Sequence, residues 1–196
     1  MNGMSEAEMI QKLAEKDETA FRQLVNTYQK LVVNTCYSIV QNQHDAEDVA
    51  QEVFIEVFRS IKNFRADAKI STWLYRISVN RSLNFIRDRK KFKWFQSFGD
   101  AVQNRLGELS NISTSHTDQP EFLLENTQRT ALLHEAINQL PENQKVAFTL
   151  SKYEDLSYQE IAEVMELSIS SVESLLHRAK RNLQKKLHKC YQKKCI

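Results

Sequence analysis

Glycine and proline are nearly missing from this chain, with three and two residues among 196, where a soluble protein of ordinary composition carries ~12% of the pair. A fold made of short strands joined by tight turns needs both, so an all-β architecture is excluded. Long apolar runs are missing as well: no stretch approaches the ~20 residues of a membrane span. The opening MNGMSEAEMIQKLAEKDE mixes charges with apolar residues and lacks the basic start and apolar core of an export signal. A cytoplasmic protein without membrane insertion is expected. Cysteine is scarce and odd in number, three in all, which is not a disulfide framework and suits a reducing compartment.

What is present is charge, at 27% of residues, with a net value of only +2. That small balance conceals blocks. Lys and Arg against Asp and Glu give −5 over 5–61, +8 over 62–98, −4 over 99–126, −4 over 127–169 and +7 over 170–196. Two basic blocks set among acidic ones suggest two surfaces for a polyanion and other partners for the rest, although solvated helix faces carry charge in the same way.

Helical periodicity runs through 5 to about 95 and again from 127 to 190, after Pro120. Between them GDAVQNRLGELSNISTSHTDQPE is rich in Ser, Thr and Asn and poor in large apolar residues, the composition of a flexible acidic linker. The expected fold is all-α, with two small helical domains joined by that linker: 5–97, linker 98–126, 127–190, then a basic tail 191–196. As flexible coil the linker has an r.m.s. span of roughly 30 Å.

Ala46, Val49, Ala50, Val53, Phe54, Val57, Phe58 and Ile61 follow helical spacing without a miss, so one face of a helix over about 46–61 belongs to a core. At ~100° per residue the opposite face carries Asp48, Gln51, Glu52, Ile55 and Arg59. Carboxylates at 48, 52 and 56 stand at repelling i, i+4 spacing around an isoleucine that points away from the core. An acidic rim around an apolar anchor suits a basic protein partner; an ordinary solvated face with one stray isoleucine is the plainer reading.

Residues 64–95 mix Arg and Lys with Phe, Trp and Tyr, supplying charge for a nucleic-acid backbone and flat rings for bases. Trp73, Leu74, Tyr75 and Ile77 are spaced to pack on the preceding helix. Asn80, Asn84 and Arg87 fall near one face with Arg76 and are better placed to touch a base or phosphate.

Near the end, Ser157 and Glu160 form an S-x-x-E capping box, flanked by Leu156 and Ile161 at hydrophobic-staple positions. Ser168 is placed to cap a second helix beginning near Ile169. Ile161, Ala162, Met165, Leu167, Val172 and Leu175 fall where a helix-turn-helix interlocks, with Glu166 in the turn, where glycine is common. The second helix sets Ser170, Ser171, Ser174, His177 and Arg178 on its early exposed turns and Lys180, Arg181, Lys185 and Lys186 later. Short polar groups for base edges followed by cations for phosphate match a recognition helix; an αα-hairpin with a basic last helix is the alternative.

These three motifs, in this order, resemble the bacterial sigma-70 family, specifically its small extracytoplasmic-function (ECF) RNA polymerase sigma factors. DAEDVAQEVFIEVFRSIKNF resembles the region-2 helix that binds the clamp helices of the polymerase β′ subunit, STWLYRISVNRSLNFIRDRKK the segment reading the minus-10 element, and the final helix-turn-helix the region-4 reader of the minus-35 element. The resemblance implies polymerase binding by Asp48, Gln51, Glu52 and Ile55. It implies minus-10 contact near Phe64, Arg65, Ser71 and Asn80, to which Arg76, Asn84 and Arg87 are added from their face. It implies minus-35 contact at Ser170, Ser171, Glu173, Ser174, His177 and Arg178, with Lys180 and Arg181 beside them. Glu173 and Leu175 depart from the family's frequent arginines. Implied partners are core RNA polymerase (the β′ clamp helices and β subunit), promoter DNA and an anti-sigma factor. No catalytic residue, metal or cofactor is expected.

Two rival readings differ in class. A stand-alone repressor or activator explains the helix-turn-helix but not the 45–64 face. A helical metal enzyme using His44, Asp45, Asp48 and Glu52 lacks the Glu-x-x-His pairs of di-iron bundles. The tail groups His188, Cys190 and Cys195 lack a four-ligand zinc pattern and read as part of a basic tail.

Overall fold

The computed structural model describes residues 5–64, 69–103 and 121–192, and all their side chains except those of 63, 93, 95–103, 121–129 and 189–192. Every regular element among them is helical: α1 (Glu6–Ala14), α2 (Glu18–Val40), α3 (Gln43–Ser60), a 3-10 turn (Ile61–Asn63), α4 (Ile70–Gln103), α5 (Glu121–Asn138), α6 (Glu142–Lys152), α7 (Tyr158–Met165) and α8 (Ile169–Gln192). Of the expected linker, residues 98–103 close α4 and 121–126 open α5; 104–120 lie outside the described residues.

Helix limits follow local chemistry. Ser5, Asp17 and Asn42 each accept an N–H of the first turn of α1, α2 and α3, at 3.2, 2.7 and 3.0 Å, satisfying donors that have no intrahelical partner. Lacking a glycine, α2 ends on Gln41 in the left-handed region, φ 59°. The start of α4 is capped from a distance: the Ile70 N–H donates to the Glu6 carboxylate at 3.2 Å, tying α1 to α4.

Region 5–97 packs α1, α2, α3 and the first turns of α4 around Leu13, Leu24, Val32, Val53, Val57 and Leu74, all fully buried. The apolar stripe of α3 is buried as its spacing requires, apart from Phe58, which is half-buried. Salt bridges from α4 brace α3: Arg81 to Glu56 at 2.6 Å, and Arg89 to Asp45. A second cluster joins α5, the turn after it and α8 through Ile137, Leu140, Ala179 and Leu183, with Phe148 of α6 packed against it.

The third cluster belongs to neither half alone. Ile39 of α2 and Tyr75 and Val79 of α4 are buried with Val146, Ala147 and Leu150 of α6, Ile161, Ala162 and Val164 of α7, and Val172 and Leu176 of α8. The two halves therefore pack directly on one another. Trp73, Leu74 and Ile77 pack with the preceding helices as expected, whereas Tyr75 falls in the cluster that α2 and α4 share with the C-terminal half.

Candidate functional site

Three surfaces carry the residues singled out by sequence. On α3, Asp48, Gln51, Glu52, Ile55 and Arg59 are all exposed, and Ile55 shows 49% of its surface although its neighbours Phe54 and Val57 are buried. Glu56 does not join the rim. Its carboxylate is taken by Arg81, which relieves the i, i+4 repulsion with Glu52. Beside Ile55 opens an apolar groove that sequence did not indicate, lined by Phe21 and Val25 of α2 and by Phe58, with Glu18, Arg22 and Arg59 at its margin. Phe21 and Phe58 meet edge to face at 5.1 Å, a favoured aromatic geometry. The i, i+4 spacing of Phe21 and Val25 was the available signal, but it does not say which apolar pair stays uncovered.

On α4, Arg76, Asn80, Asn84 and Arg87 span ~80° of one helical face; both asparagines are exposed. Ser71 lies ~140° from Arg76 and is half-buried, so it does not share that face. Phe64 stacks against Trp73 at 5.1 Å between centroids and packs on the core. Arg65 lies outside the described residues. Neither arginine of the face is idle. Arg76 donates to the Glu163 carbonyl at 2.7 Å and pairs with the Glu166 carboxylate at 2.8 Å. Arg87 bonds the Glu142 carboxylate at 2.7 Å, which holds that carboxyl below the usual range.

More polar links surround these. The Tyr75 hydroxyl donates to Glu154 at 3.3 Å; burial pushes the Glu154 carboxyl up. Lys145 of α6 is buried and donates at 2.6 Å both to the Ile39 carbonyl, in the last turn of α2, and to Asn138. A cation at a helix C-terminus meets carbonyls that lack intrahelical donors. Burial, with Lys90 nearby, lowers the Lys145 ammonium to about 8. Among the described residues no group of three or more His, Cys, Asp or Glu is placed to hold a metal ion.

The third surface is the helix-turn-helix. The capping box of α7 is complete: Ser157 Oγ accepts the Glu160 N–H and Glu160 accepts the Ser157 N–H. Glu166 fills the turn in the left-handed region, φ 55°, and the Leu167 N–H closes onto the Ala162 carbonyl at 3.0 Å, the Schellman arrangement usually given to glycine. Leu167 is 38% exposed, contrary to its expected interlocking role; Leu176 is buried with Ile161, Ala162, Val164 and Val172 instead. Ser168 Oγ caps α8 by accepting the Ser171 N–H at 3.2 Å and lies within hydrogen-bond reach of Ser170 and Ser171 Oγ.

On α8, Val172, Leu176, Ala179 and Leu183 are buried. Ser170, Glu173, Ser174, His177, Arg178, Lys180 and Arg181 are exposed, and Ser171 is half-buried at the edge; at ~100° per residue these eight cover the opposite half of the helix. Lys185 is exposed, whereas Lys186 is occupied, donating to the Gln139 carbonyl and side chain at 3.1 and 2.8 Å. It braces α8 against the turn between α5 and α6.

A second helix presenting one polar, cationic face beyond a tight turn is the form of a DNA reader. Residues 130–183 match the pattern of sigma-70 region 4, and residues 24–92 that of sigma-70 region 2. The chain is 33% identical to the RNA polymerase sigma-H factor of Pseudomonas aeruginosa over 180 residues, 92% of each chain. The chain belongs to the sigma-70 family. Within it, ECF sigma factors are matched over more than nine tenths of their length: identity is 30% to the ECF RNA polymerase sigma-E factor of Haemophilus influenzae, covering 94% of this chain and 96% of that one. It is also 30% to the ECF RNA polymerase sigma factor SigW of Bacillus subtilis, covering 91% and 94%. The fold is that of CnrH, solved with the cytosolic domain of CnrY (TM-score 0.63, 20% identity, 92% and 95% covered). It is likewise that of the Bartonella quintana sigma factor RpoE, solved with the anti-sigma factor NepR (TM-score 0.58, 20% identity, 86% and 96% covered). As an ECF sigma factor, this protein recognises promoters and initiates transcription with RNA polymerase.

Proposed function

We propose that region 2 docks on the β′ clamp helices of core RNA polymerase through Asp48, Gln51, Glu52 and Ile55. The observation that carries the reading is Ile55, half exposed within an acidic rim and continuous with the Phe21–Phe58 groove. An apolar anchor supplies desolvation energy, and the carboxylates steer and orient a basic partner. The α4 face reads the minus-10 element together with Phe64, Arg65 and Ser71, and the exposed face of α8 reads the minus-35 element. Glu173 is able to accept from cytosine N4, giving base preference without a cation.

The protein acts without bond chemistry of its own, in the cytoplasm. One small DNA module buries only ~600–1,000 Å², so neither region holds a promoter firmly alone, and polymerase raises the effective concentration of the second contact. Capture of an unstacked base, ~1–3 kcal/mol per stack, offsets the few kcal/mol of unpairing. The described structures of CnrH and RpoE with their partners support an anti-sigma factor as the regulator of this chain.

Ile55→Glu tests the docking face. The variant should retain its helicity by circular dichroism yet fail to co-elute with core polymerase in gel filtration; normal holoenzyme formation would refute the assignment.

A further inference from the structure

Beyond Arg87 the α4 helix leaves the bundle. Every described side chain from Arg87 to Trp94 is exposed, and none of them belongs to the three buried clusters. The stretch carries five cations and one carboxylate, Asp88, together with two large rings. Phe92 shows 63% of its surface and Trp94 57%. At ~100° per residue the two rings stand ~160° apart, so the arm has no single apolar face to lay on a bilayer. Trp94 instead falls in line with Arg76, and Lys91 ~60° from it, both within the arc of Arg76, Asn80, Asn84 and Arg87. Lys91 also lines one cleft with Asn84 and Arg87. The minus-10 face therefore continues past its last assigned residue, and Trp94 stands two residues beyond the stretch that matches region 2.

Resting on the assignment of α4 to the minus-10 element, we infer that Lys91 and Trp94 make a further promoter contact, on the double-stranded spacer just upstream of that element. The charge suits a phosphate backbone. Arg87 and Arg89 are held by Glu142 and Asp45, but Lys91 meets Asp88 at 4.0 Å with the two side chains 73% and 77% exposed, a pair too well screened to resist a phosphate. Chain order sets the side. From its C-terminal end α4 leads through 104–120 to region 4, the minus-35 reader, so that end belongs toward the spacer. Reach sets the distance: at 1.5 Å per residue Trp94 stands ~10 Å past Arg87, the rise of about three base pairs. The contact reads no sequence. Lys91 neutralises a phosphate, while the Trp94 ring packs on the sugar edge with an indole N–H able to donate to a phosphate oxygen.

Holoenzyme assembled from the full chain and core polymerase tests the contact, on a promoter recovered by transcription of a genomic pool. Two DNAs are compared: the intact promoter, and a fragment that starts at the minus-10 element with its non-template strand unpaired. Trp94→Ala should weaken binding of the intact promoter about five- to tenfold and leave binding of the fragment unchanged. Lys91→Ala should lower the salt slope by about 1 on the intact promoter alone. Benzoylphenylalanine in place of Trp94 should crosslink within about three base pairs upstream of the element. Equal losses on both DNAs, no loss on either, or crosslinks confined to the minus-10 element overturn the spacer contact. Normal promoter binding by Trp94→Ala, with loss of a wild-type affinity for phosphatidylglycerol vesicles, overturns it in favour of a membrane surface. The same probe in place of Asn80 keeps the two levels apart. Failure to crosslink there sinks the minus-10 assignment of α4 itself, whereas a crosslink from 80 with none from 94 sinks the spacer contact alone.

Discussion

On α8, Arg178, Lys180 and Arg181 stand exposed and take part in no ion pair among the described residues, while on α4 Arg76 and Arg87 both close onto carboxylates of region 4. The two faces look alike in sequence, each a run of cations with small polar residues at helical spacing. They differ in their neighbours. A helix at the edge of a bundle needs only half its surface for packing, and α8 spends that half on Val172, Leu176, Ala179 and Leu183. The α4 helix lies between two cores and packs on both, so its polar residues border a second interface whether or not DNA is present. A basic helix face is thus a candidate for nucleic acid, and its availability is a separate property.

The comparison is broken most forcefully by removing the shared core. Leu150→Ala deletes a fully buried side chain of the cluster that joins the regions and should cost ~2–5 kcal/mol, seen as a lower urea midpoint. Leu167→Ala, on the exposed turn beside the open reader, should stay within about 0.5 kcal/mol. Equal losses would mean that Leu167 packs more tightly than its 38% exposure indicates.

A smaller effect separates the faces by function. Arg178→Ala should weaken binding of minus-35 duplex about tenfold, within the ~1–3 kcal/mol of a base contact, and leave the radius of gyration alone; unchanged affinity at fixed salt would remove Arg178 from the site. Arg87→Ala should instead enlarge the free chain. Lys180→Ala should lower the salt slope of duplex binding by about 1 without altering base preference, and a changed preference would make it a base reader.

The smallest effect is in pH. Lys145 has its ammonium lowered to about 8 in the closed chain against 10.5 when free, so the closed form binds fewer protons between those values. Closure should therefore strengthen as pH rises from about 8 toward 10, with no further pH dependence from this group below that window. Lys90, Arg89 and Glu142 are the charged groups that line the same cavity as Lys145. Scattering or an inter-region distance measured at pH 7.5 and 9.5 should show more compaction at the higher value, and Lys145→Met should abolish the difference.

Much of this arrangement is legible residue by residue. The α3 stripe from Ala46 to Ile61, the capping box at Ser157 and Glu160 and the cap at Ser168 are all local patterns, and each appears where its spacing places it. Ile55 was legible for the same reason: an apolar residue on the wrong side of a clean stripe has no other helix position to hide in. The errors share a different origin. Glu56, Lys186 and Tyr75 were each assigned by helical phase alone, and each has its surroundings set by a residue far away in sequence: Arg81, Gln139 and Glu154. Phase gives a direction around one axis and no information about what lies at the end of it.

The sequence by itself determined the helices, their caps, the two regions and the stripe that each buries, because hydrogen bonds three or four residues apart and a 3.6-residue period are properties of neighbouring residues. Only the tertiary structure decided that one cluster spans both regions, that Lys145 caps a helix of the other half, and that Arg76 and Arg87 of α4 are occupied while Arg178 and Arg181 of α8 take part in no ion pair among the described residues. Those outcomes depend on pairs such as Arg76 with Glu166 and Ile39 with Lys145, which are 90 and 106 residues apart. Contacts at that range are selected by the packing of whole surfaces, and no local period encodes them.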